Sequence, residues 1–173
     1  LNIKDTKIRQ RFWNDYSCTV KKMNFVSFGV YFNQDDIKNI YNNGSYGFYN
    51  IAFIALLKNY LHYLKFINGI GSICIESRGF KENSILQHSY YNYLKNGSMY
   101  FPYKDYDNHL SSLAFIVKGD NCNGLQIADI APSAMLREIN GTHDYYGLGK
   151  MYRDKLYNKG TSYQDILGFR NIL

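Results

Sequence analysis

The chain has 173 residues, of which 46% are apolar and 20% are charged, and its formal net charge is +6. This apolar fraction is ordinary for a packed globular protein and excludes disorder as the dominant state. The length predicts one domain, and no internal repeat or linker divides residues 1–173. No apolar run approaches the ~18 residues that a membrane span needs, so the sequence predicts a soluble protein without a membrane partner.

Apolar periodicity and turn residues predict secondary structure along the whole chain. The predicted elements are a loop or short helix over 1–22, a strand over 23–32, a loop over 42–47, a helix over 48–67, a strand over 72–76, a helix over 83–96, an irregular segment over 98–112, a strand over 113–117, a helix over 124–139 and a looser tail with short helices. This order of strands and helices predicts an α/β domain in which helices pack on a central sheet.

The positive charge is concentrated at the two ends of the chain. Residues 1–22 carry six Lys or Arg and two Asp. Residues 137–173 carry six Lys or Arg and four Asp or Glu, whereas the positive and negative charges of residues 23–136 cancel. Basic flanks of this kind can steer a polyanion such as nucleic acid, although a solvated basic surface explains the pattern equally well. The three cysteines are far apart in the chain and match no zinc or disulfide spacing, which indicates a reducing, cytoplasmic location.

Glu76 is the first candidate for a functional residue. It ends a short apolar strand in the segment IESRG, and Arg78 and Gly79 follow directly. Ligands of open α/β sheets bind beyond the carboxyl ends of the strands, so Glu76 occupies a position that suits a catalytic or binding carboxylate. The alternative is a structural charge, either paired with Arg78 or placed near the N-terminus of the next helix.

The segment GLQIADIAPSAMLREI provides the second candidate site. Four of its polar residues are spaced three, four and four positions apart, namely Gln126, Asp129, Ser133 and Arg137. They form one stripe on a helix in which nearly every other position is apolar or small, as in a largely buried helix. An ionised Asp in such a helix is costly unless it is paired or binds a cation, whereas a stripe that faces water is the alternative. Pro132 cannot donate to the Ala128 carbonyl and should kink this helix.

Glu76 and Asp129 are therefore the candidate catalytic and metal-binding residues. Mg²⁺ and Mn²⁺ prefer oxygen ligands, and two such ions ~3.5–4 Å apart can stabilise the attacking and leaving oxygens of a phosphodiester displacement. Two carboxylates are fewer than a two-metal site normally uses, so a third acid is expected. Asp120 lies just past the strand that ends at Lys118, and it is the candidate that this chain offers for the third metal ligand.

These segments together resemble the family catalogued as domain of unknown function 3800, which is regarded as having a ribonuclease-H-like fold. The resemblance rests on IESRG followed by a helix, on an apolar strand ending at Lys118 and on NGLQIAD. LNIKDTKIRQRF and GFYNIAFIALLKNYLHYL resemble further family segments, so the likeness spans most of the chain. The family's early strand ending in Asp-Glu-Ser has no counterpart here. We expect it upstream of Leu1, in an N-terminally incomplete chain.

The resemblance implies a single ribonuclease-H-like domain with a mixed central sheet flanked by helices. It also implies a divalent-metal-dependent nuclease that hydrolyses phosphodiester bonds of DNA or RNA. By analogy, Glu76 and Asp129 would bind Mg²⁺ or Mn²⁺, and the residues that would orient phosphate or water are Arg78, Lys118 and Gln126.

An inactive ribonuclease-H-like binding module is the alternative function. It would recognise nucleic acid or a protein partner through its basic flanks, in a defence or mobile-element system, and a homo-oligomer is compatible with either function. Trp13, which lies close to Arg9, Arg11 and Phe12 in sequence, is a further candidate for contact with nucleic acid or a partner.

Overall fold

The computed structural model describes residues 4–32, 47–157 and the backbone of 169–171. Six α-helices and four strands occupy these ranges: α1 (Thr6–Lys22), β1 (Gly29–Tyr31), α2 (Phe48–Phe66), β2 (Gly71–Glu76), α3 (Phe80–Asn96), α4 (Tyr103–His109), β3 (Leu110–Ile116), α5 (Asn123–Ile139), α6 (Leu148–Asp154) and β4 (Phe169–Asn171). Short 3₁₀ helices at Lys118–Asp120 and Tyr145–Gly147 precede α5 and α6. The predicted α/β class is confirmed.

The strands form two parallel pairs. β2 pairs with β3 so that Glu76 lies opposite Ile116, and β1 pairs with β4 so that Gly29 lies opposite Phe169. Both described pairings are parallel, and each joins strands that are separated by at least one helix in the chain, as parallel connections require. The mixed central sheet of a ribonuclease-H-like domain stays a prediction.

A first hydrophobic core lies between β2–β3 and the helices α2, α3 and α4. Ile73 and Ile75 project from one face of β2 into this core, where Leu61 and Tyr106 are fully buried. Successive side chains of a strand point to opposite faces, so Glu76 lies on the face of β2 that does not enter this core. The side chains of Ser72 and Cys74 on that same face are exposed.

A second core joins α1, α5 and α6. Its buried side chains are Val20, Ala134, Met135, Leu148, Met151 and Tyr152. Helix α5 contacts both this bundle and β2, so it connects the two cores. An apolar groove of about 740 Å³ runs between α5, the N-terminal half of α2 and residues 23–31.

Three sequence predictions differ from the structure. Residues 6–22 form a helix of 17 residues, because the Asp5 carboxylate caps its N-terminus by accepting hydrogen bonds from the Lys7 and Ile8 amides. The segment predicted as irregular contains α4 and the start of β3, since Pro102 precedes a short helix that buries Tyr106. The strand predicted over 23–32 is reduced to β1 and an isolated bridge at Ser27. The loop predicted over 42–47 lies outside the described residues, apart from Gly47.

Candidate functional site

Glu76 ends β2 at the carboxyl edge of the parallel pair, as predicted. Its side chain is half-buried, and the pairing continues one residue beyond it, because the Ser77 amide donates to the Ile116 carbonyl at 2.9 Å. Neither an ion pair nor a hydrogen bond to its carboxylate is seen within the described ranges. The alternative of a salt bridge to Arg78 is therefore not realised there.

The loop after β2 is held in place by Asn83 of α3. The Asn83 side chain accepts a hydrogen bond from the Arg78 amide at 3.2 Å and donates one to Ser77 Oγ at 2.8 Å. Gly79 has a φ of 125°, which a residue with a side chain rarely adopts, and this turn leads directly into α3. The guanidinium of Arg78 lies over the ring of Tyr49 in α2, 4.4 Å from its centroid. Arg78 is thus exposed, and contacts with α2 and α3 position it.

Helix α5 contains the predicted stripe, but it is not a largely buried helix. Its fully buried residues are Ala134 and Met135, whereas Leu136 is 52% exposed. The exposed residues include all four stripe positions, namely Gln126, Asp129, Ser133 and Arg137. Asp129 therefore does not carry the burial cost that favoured a bound cation. The helix also continues through Pro132 without interruption.

The structure places Asp129 in a cleft between α1 and α5. The cleft has a volume of about 550 Å³ and is lined by Arg9, Trp13, Asp129, Ile130, Ser133, Ala134, Arg137, Asp144, Tyr146 and Leu148. Arg9 and Trp13 are four residues apart and share one face of α1, as do Asp129 and Ser133 on α5. Three of the four stripe residues therefore line this cleft.

The other predicted site residues do not line it. Glu76, Arg78, Lys118 and Gln126 are absent from the cleft wall. Lys118 and Asp120 are exposed in the 3₁₀ helix that links β3 to α5. Considering only the described ranges, we find no group of three or more His, Cys, Asp or Glu side chains arranged to hold a metal ion. Convergence of Glu76 and Asp129 on one ion stays a prediction.

Aromatic packing forms one end of the cleft. Trp13 stacks on Tyr146 with ring centroids 6.2 Å apart and an interplanar angle of 22°, and Tyr16 meets the Trp13 ring edge-on at 5.7 Å. Tyr146 adopts a φ of 63°, which is an outlier for a bulky residue and costs about 1–3 kcal/mol. The stacking on Trp13 and a hydrogen bond from Ser17 Oγ to the Tyr146 carbonyl accompany this conformation.

A hydrogen-bond relay connects the helices that carry the cleft. The Tyr152 hydroxyl of α6 donates to the Ile127 carbonyl of α5 at 2.9 Å, and it lies 2.6 Å from the Tyr16 hydroxyl of α1. A carbonyl can only accept, so the Tyr152 hydroxyl donates to Ile127 and accepts a hydrogen bond from the Tyr16 hydroxyl. Burial raises the pKa of both phenols, which keeps them protonated and able to donate.

Close approach of α6 to α5 completes the cleft wall. A Cβ on Gly149 would lie 2.7 Å from the Ala134 carbonyl oxygen, so only glycine fits there. The Asp144 carboxylate accepts hydrogen bonds from the Gly149 amide at 2.8 Å and the Lys150 amide at 3.1 Å. Its negative charge is thereby engaged at the N-terminus of α6, where the helix dipole also favours it.

Sequence reasoning did not place Arg9 or Asp144 in a site. The spacing of Trp13, Ser17 and Val20 in a segment capped by Asp5 was the available signal for a helix with one buried face. No local signal connects that face to Tyr146, because the two are more than 120 residues apart.

The chain matches no family model, no curated protein and no solved structure. The resemblance described above therefore remains an interpretation of the residues themselves. No helix in the described ranges is both long enough and apolar enough to span a membrane.

Proposed function

We propose that this protein is a nuclease that binds DNA or RNA and hydrolyses its phosphodiester bonds with a divalent cation, Mg²⁺ or Mn²⁺. The observation that carries the proposal is the position of Asp129 in one cleft with Arg9 and Arg137. A carboxylate can ligate a hard cation, and guanidinium groups are well suited to phosphate oxygens. The Gln126–Asp129 spacing and the location of Glu76 at a strand end support the same function.

The proposed metal ligands are Glu76 and Asp129. Mg²⁺ is commonly held by one or two carboxylates and keeps several waters, so two carboxylates from β2 and α5 suit one ion better than a pair. A bound ion would polarise a phosphate oxygen. Helix α5 contacts β2, so the two elements that bear these carboxylates are neighbours.

The remaining proposed roles concern phosphate and water. Arg78 is exposed and is positioned over Tyr49, so its guanidinium can meet a phosphate without rearrangement of the loop. Lys118 follows the end of β3, the neighbour of β2, and Gln126 lies in the first turn of α5. These side chains would orient the phosphate and the attacking water.

A comparison of two aspartate variants tests the proposal. We expect the purified protein with Mg²⁺ or Mn²⁺ to cut single- or double-stranded DNA or RNA. Asp129→Asn should reduce the rate by more than the roughly 10- to 100-fold that loss of a residue supporting a metal ligand typically costs. Asp107→Asn is the matched control, because Asp107 is an exposed aspartate of α4 outside the cleft. Equal cleavage by the two variants would contradict the assignment of Asp129.

A binding module without catalysis is the second candidate function. The exposure of Asp129 favours it, because an exposed carboxylate does not need a cation to offset a burial cost. It predicts salt-sensitive binding of nucleic acid or of a protein partner with no requirement for a cation. Isothermal calorimetry separates the two functions, since Mn²⁺ uptake that Asp129→Asn abolishes supports the nuclease, and absence of uptake supports the module.

A further inference from the structure

The size of the α1–α5 cleft limits what can enter it. Its volume of about 550 Å³ lies within the range of roughly 300–1,000 Å³ that is typical of sites for one small ligand. A duplex keeps its bases stacked and paired inside the helix, so it cannot present a base to the half-buried indole of Trp13. An unpaired nucleotide is not restricted in this way.

The lining of the cleft matches the two parts of a nucleotide. Trp13 and Tyr146, which stack on each other, both line the cleft and offer aromatic surface on which any base can stack. Arg9 is exposed on α1, one helical turn before Trp13, and it supplies a positive charge beside that surface.

The opposite wall supplies a second positive charge. Arg137 lies on the same face of α5 as Asp129 and follows it by eight residues, which corresponds to about 12 Å along the helix axis. Arg9 and Arg137 therefore approach the cleft from two different helices. Their guanidinium groups can contact the phosphates on either side of a stacked base.

Resting on the proposed function, we infer that this cleft receives one unpaired nucleotide, with the base against Trp13 and the phosphates between Arg9 and Arg137. The substrate class is then single-stranded nucleic acid, either a free strand or the frayed end of a duplex. The Asp129 carboxylate, the proposed metal ligand, lines the same cleft as the two arginines. Asp144 opposes binding less than its charge suggests, because its carboxylate is engaged by two amides of α6.

Intrinsic fluorescence tests the inference directly, because Trp13 is the single tryptophan of the chain. The protein is titrated in a chelator-containing buffer with a single-stranded oligonucleotide and, separately, with the blunt duplex of the same sequence. We expect the single strand to quench Trp13 and the duplex to leave its emission nearly unchanged. Equal quenching by both, or no quenching by the single strand, overturns the inference.

Two arginine variants provide a matched comparison. Arg9 lines the cleft, whereas Arg11 lies on the same helix outside it and is paired with Asp15. Both side chains are exposed and each substitution removes one positive charge, so a purely long-range electrostatic effect is the same for both. We expect Arg9→Ala to weaken binding of a labelled single strand at least about fivefold more than Arg11→Ala. Equal losses would show that the cleft does not hold the phosphate.

A substitution of the indole gives an independent measurement. We expect Trp13→Leu to weaken single-strand binding about 5- to 100-fold, and Trp13→Phe to weaken it less, because a smaller ring still stacks. Circular dichroism identifies a variant that fails to fold, and the exposed Arg9→Ala then serves as the deciding variant. Wild-type levels of binding by a folded Trp13→Leu protein would overturn the inference.

The outcomes separate this inference from the proposed function. Quenching by single strands without cleavage in Mg²⁺ leaves the inference standing and removes the nuclease. Cleavage in Mg²⁺ without any response of Trp13 keeps the nuclease and removes the nucleotide site.

Discussion

The relay from Tyr16 through Tyr152 to the Ile127 carbonyl predicts a specific pattern of stability losses. Tyr152→Phe removes both hydrogen bonds, at 2.6 and 2.9 Å, whereas Tyr16→Phe removes only the first. A hydrogen bond of this kind contributes a net free energy of about 1 kcal/mol. We therefore expect the free energy of unfolding to fall by about 2 kcal/mol for Tyr152→Phe and about 1 kcal/mol for Tyr16→Phe.

The double variant tests whether the two hydroxyls act as one chain. Once the Tyr152 hydroxyl is gone, the Tyr16 hydroxyl has no other hydrogen-bond partner among the described residues, so the double variant should resemble Tyr152→Phe alone. The coupling free energy of the cycle should be about 1 kcal/mol. Urea unfolding followed by Trp13 fluorescence measures the free energy of unfolding of the wild type, the two single variants and the double variant. Tyr103→Phe is the control: Tyr103 is 49% exposed, so its substitution should change this free energy by less than about 0.5 kcal/mol. Strictly additive losses would refute the relay.

Three further predictions concern packing, pH and capping. Gly149→Ala should destabilise the protein by about 1–3 kcal/mol in urea unfolding, because the new Cβ would lie 2.7 Å from the Ala134 carbonyl oxygen. Gly124→Ala is the control and should leave the stability unchanged, because its Cβ would have no neighbour within 4 Å. Because burial raises the pKa of the Tyr152 phenol above the ordinary 10.0, the stability that this group contributes should be constant below that pH and decline as the pH rises above it. Urea midpoints measured on both sides of this pH should show the decline. Tyr152→Phe should make it less steep without abolishing it, because burial also raises the pKa of other tyrosines such as Tyr16. Asp5→Ala should lower the free energy of unfolding by about 1 kcal/mol and reduce helicity in circular dichroism, because the Lys7 and Ile8 amides lose their acceptor.

The central elements of the fold could be predicted because their signals are local. Residues 48–66 carry an apolar helical run ended by glycines, and the predicted helix differs from α2 by one residue. Strand β2 and helix α5 likewise begin within one residue of their predicted starts, because apolar alternation and a glycine-bounded start fall within a few residues of each element.

Helix α1 could not be predicted in the same way because most of it faces solvent. Only Ser17 and Val20 are fully buried, so its apolar pattern is sparse, and the capping by Asp5 is the strongest local evidence for the helix. The burial predicted for α5 was wrong for the opposite reason. The apolar residues of α5 predict packing against other elements around nearly the whole helix. In the structure, Ala128, Leu136 and Ile139 are instead exposed along the apolar groove.

The candidate site likewise has one part that local sequence signals predict and one part that depends on packing between distant helices. Asp129, Ser133 and Arg137 share a face by helical spacing, which the sequence predicts. Their opposition to Arg9 depends on how α1 packs against α5 and α6, and that packing depends on contacts such as the Tyr16–Tyr152 pair, whose members are 136 residues apart. No pattern within a short window contains that information.

Two contacts restrain Arg78: its guanidinium packs on the Tyr49 ring, and Asn83 anchors the backbone of its loop. These contacts affect how readily this arginine would bind an anion. A long side chain that is ordered only on contact gives up about 0.5–1.5 kcal/mol of rotamer freedom. The guanidinium of Arg78 already lies 4.4 Å from the centroid of the Tyr49 ring, and its backbone amide is anchored, so part of that loss has been incurred during folding. An anion arriving at this corner of the molecule would therefore meet a pre-organised guanidinium, and Tyr49→Ala should weaken its capture without altering any charge.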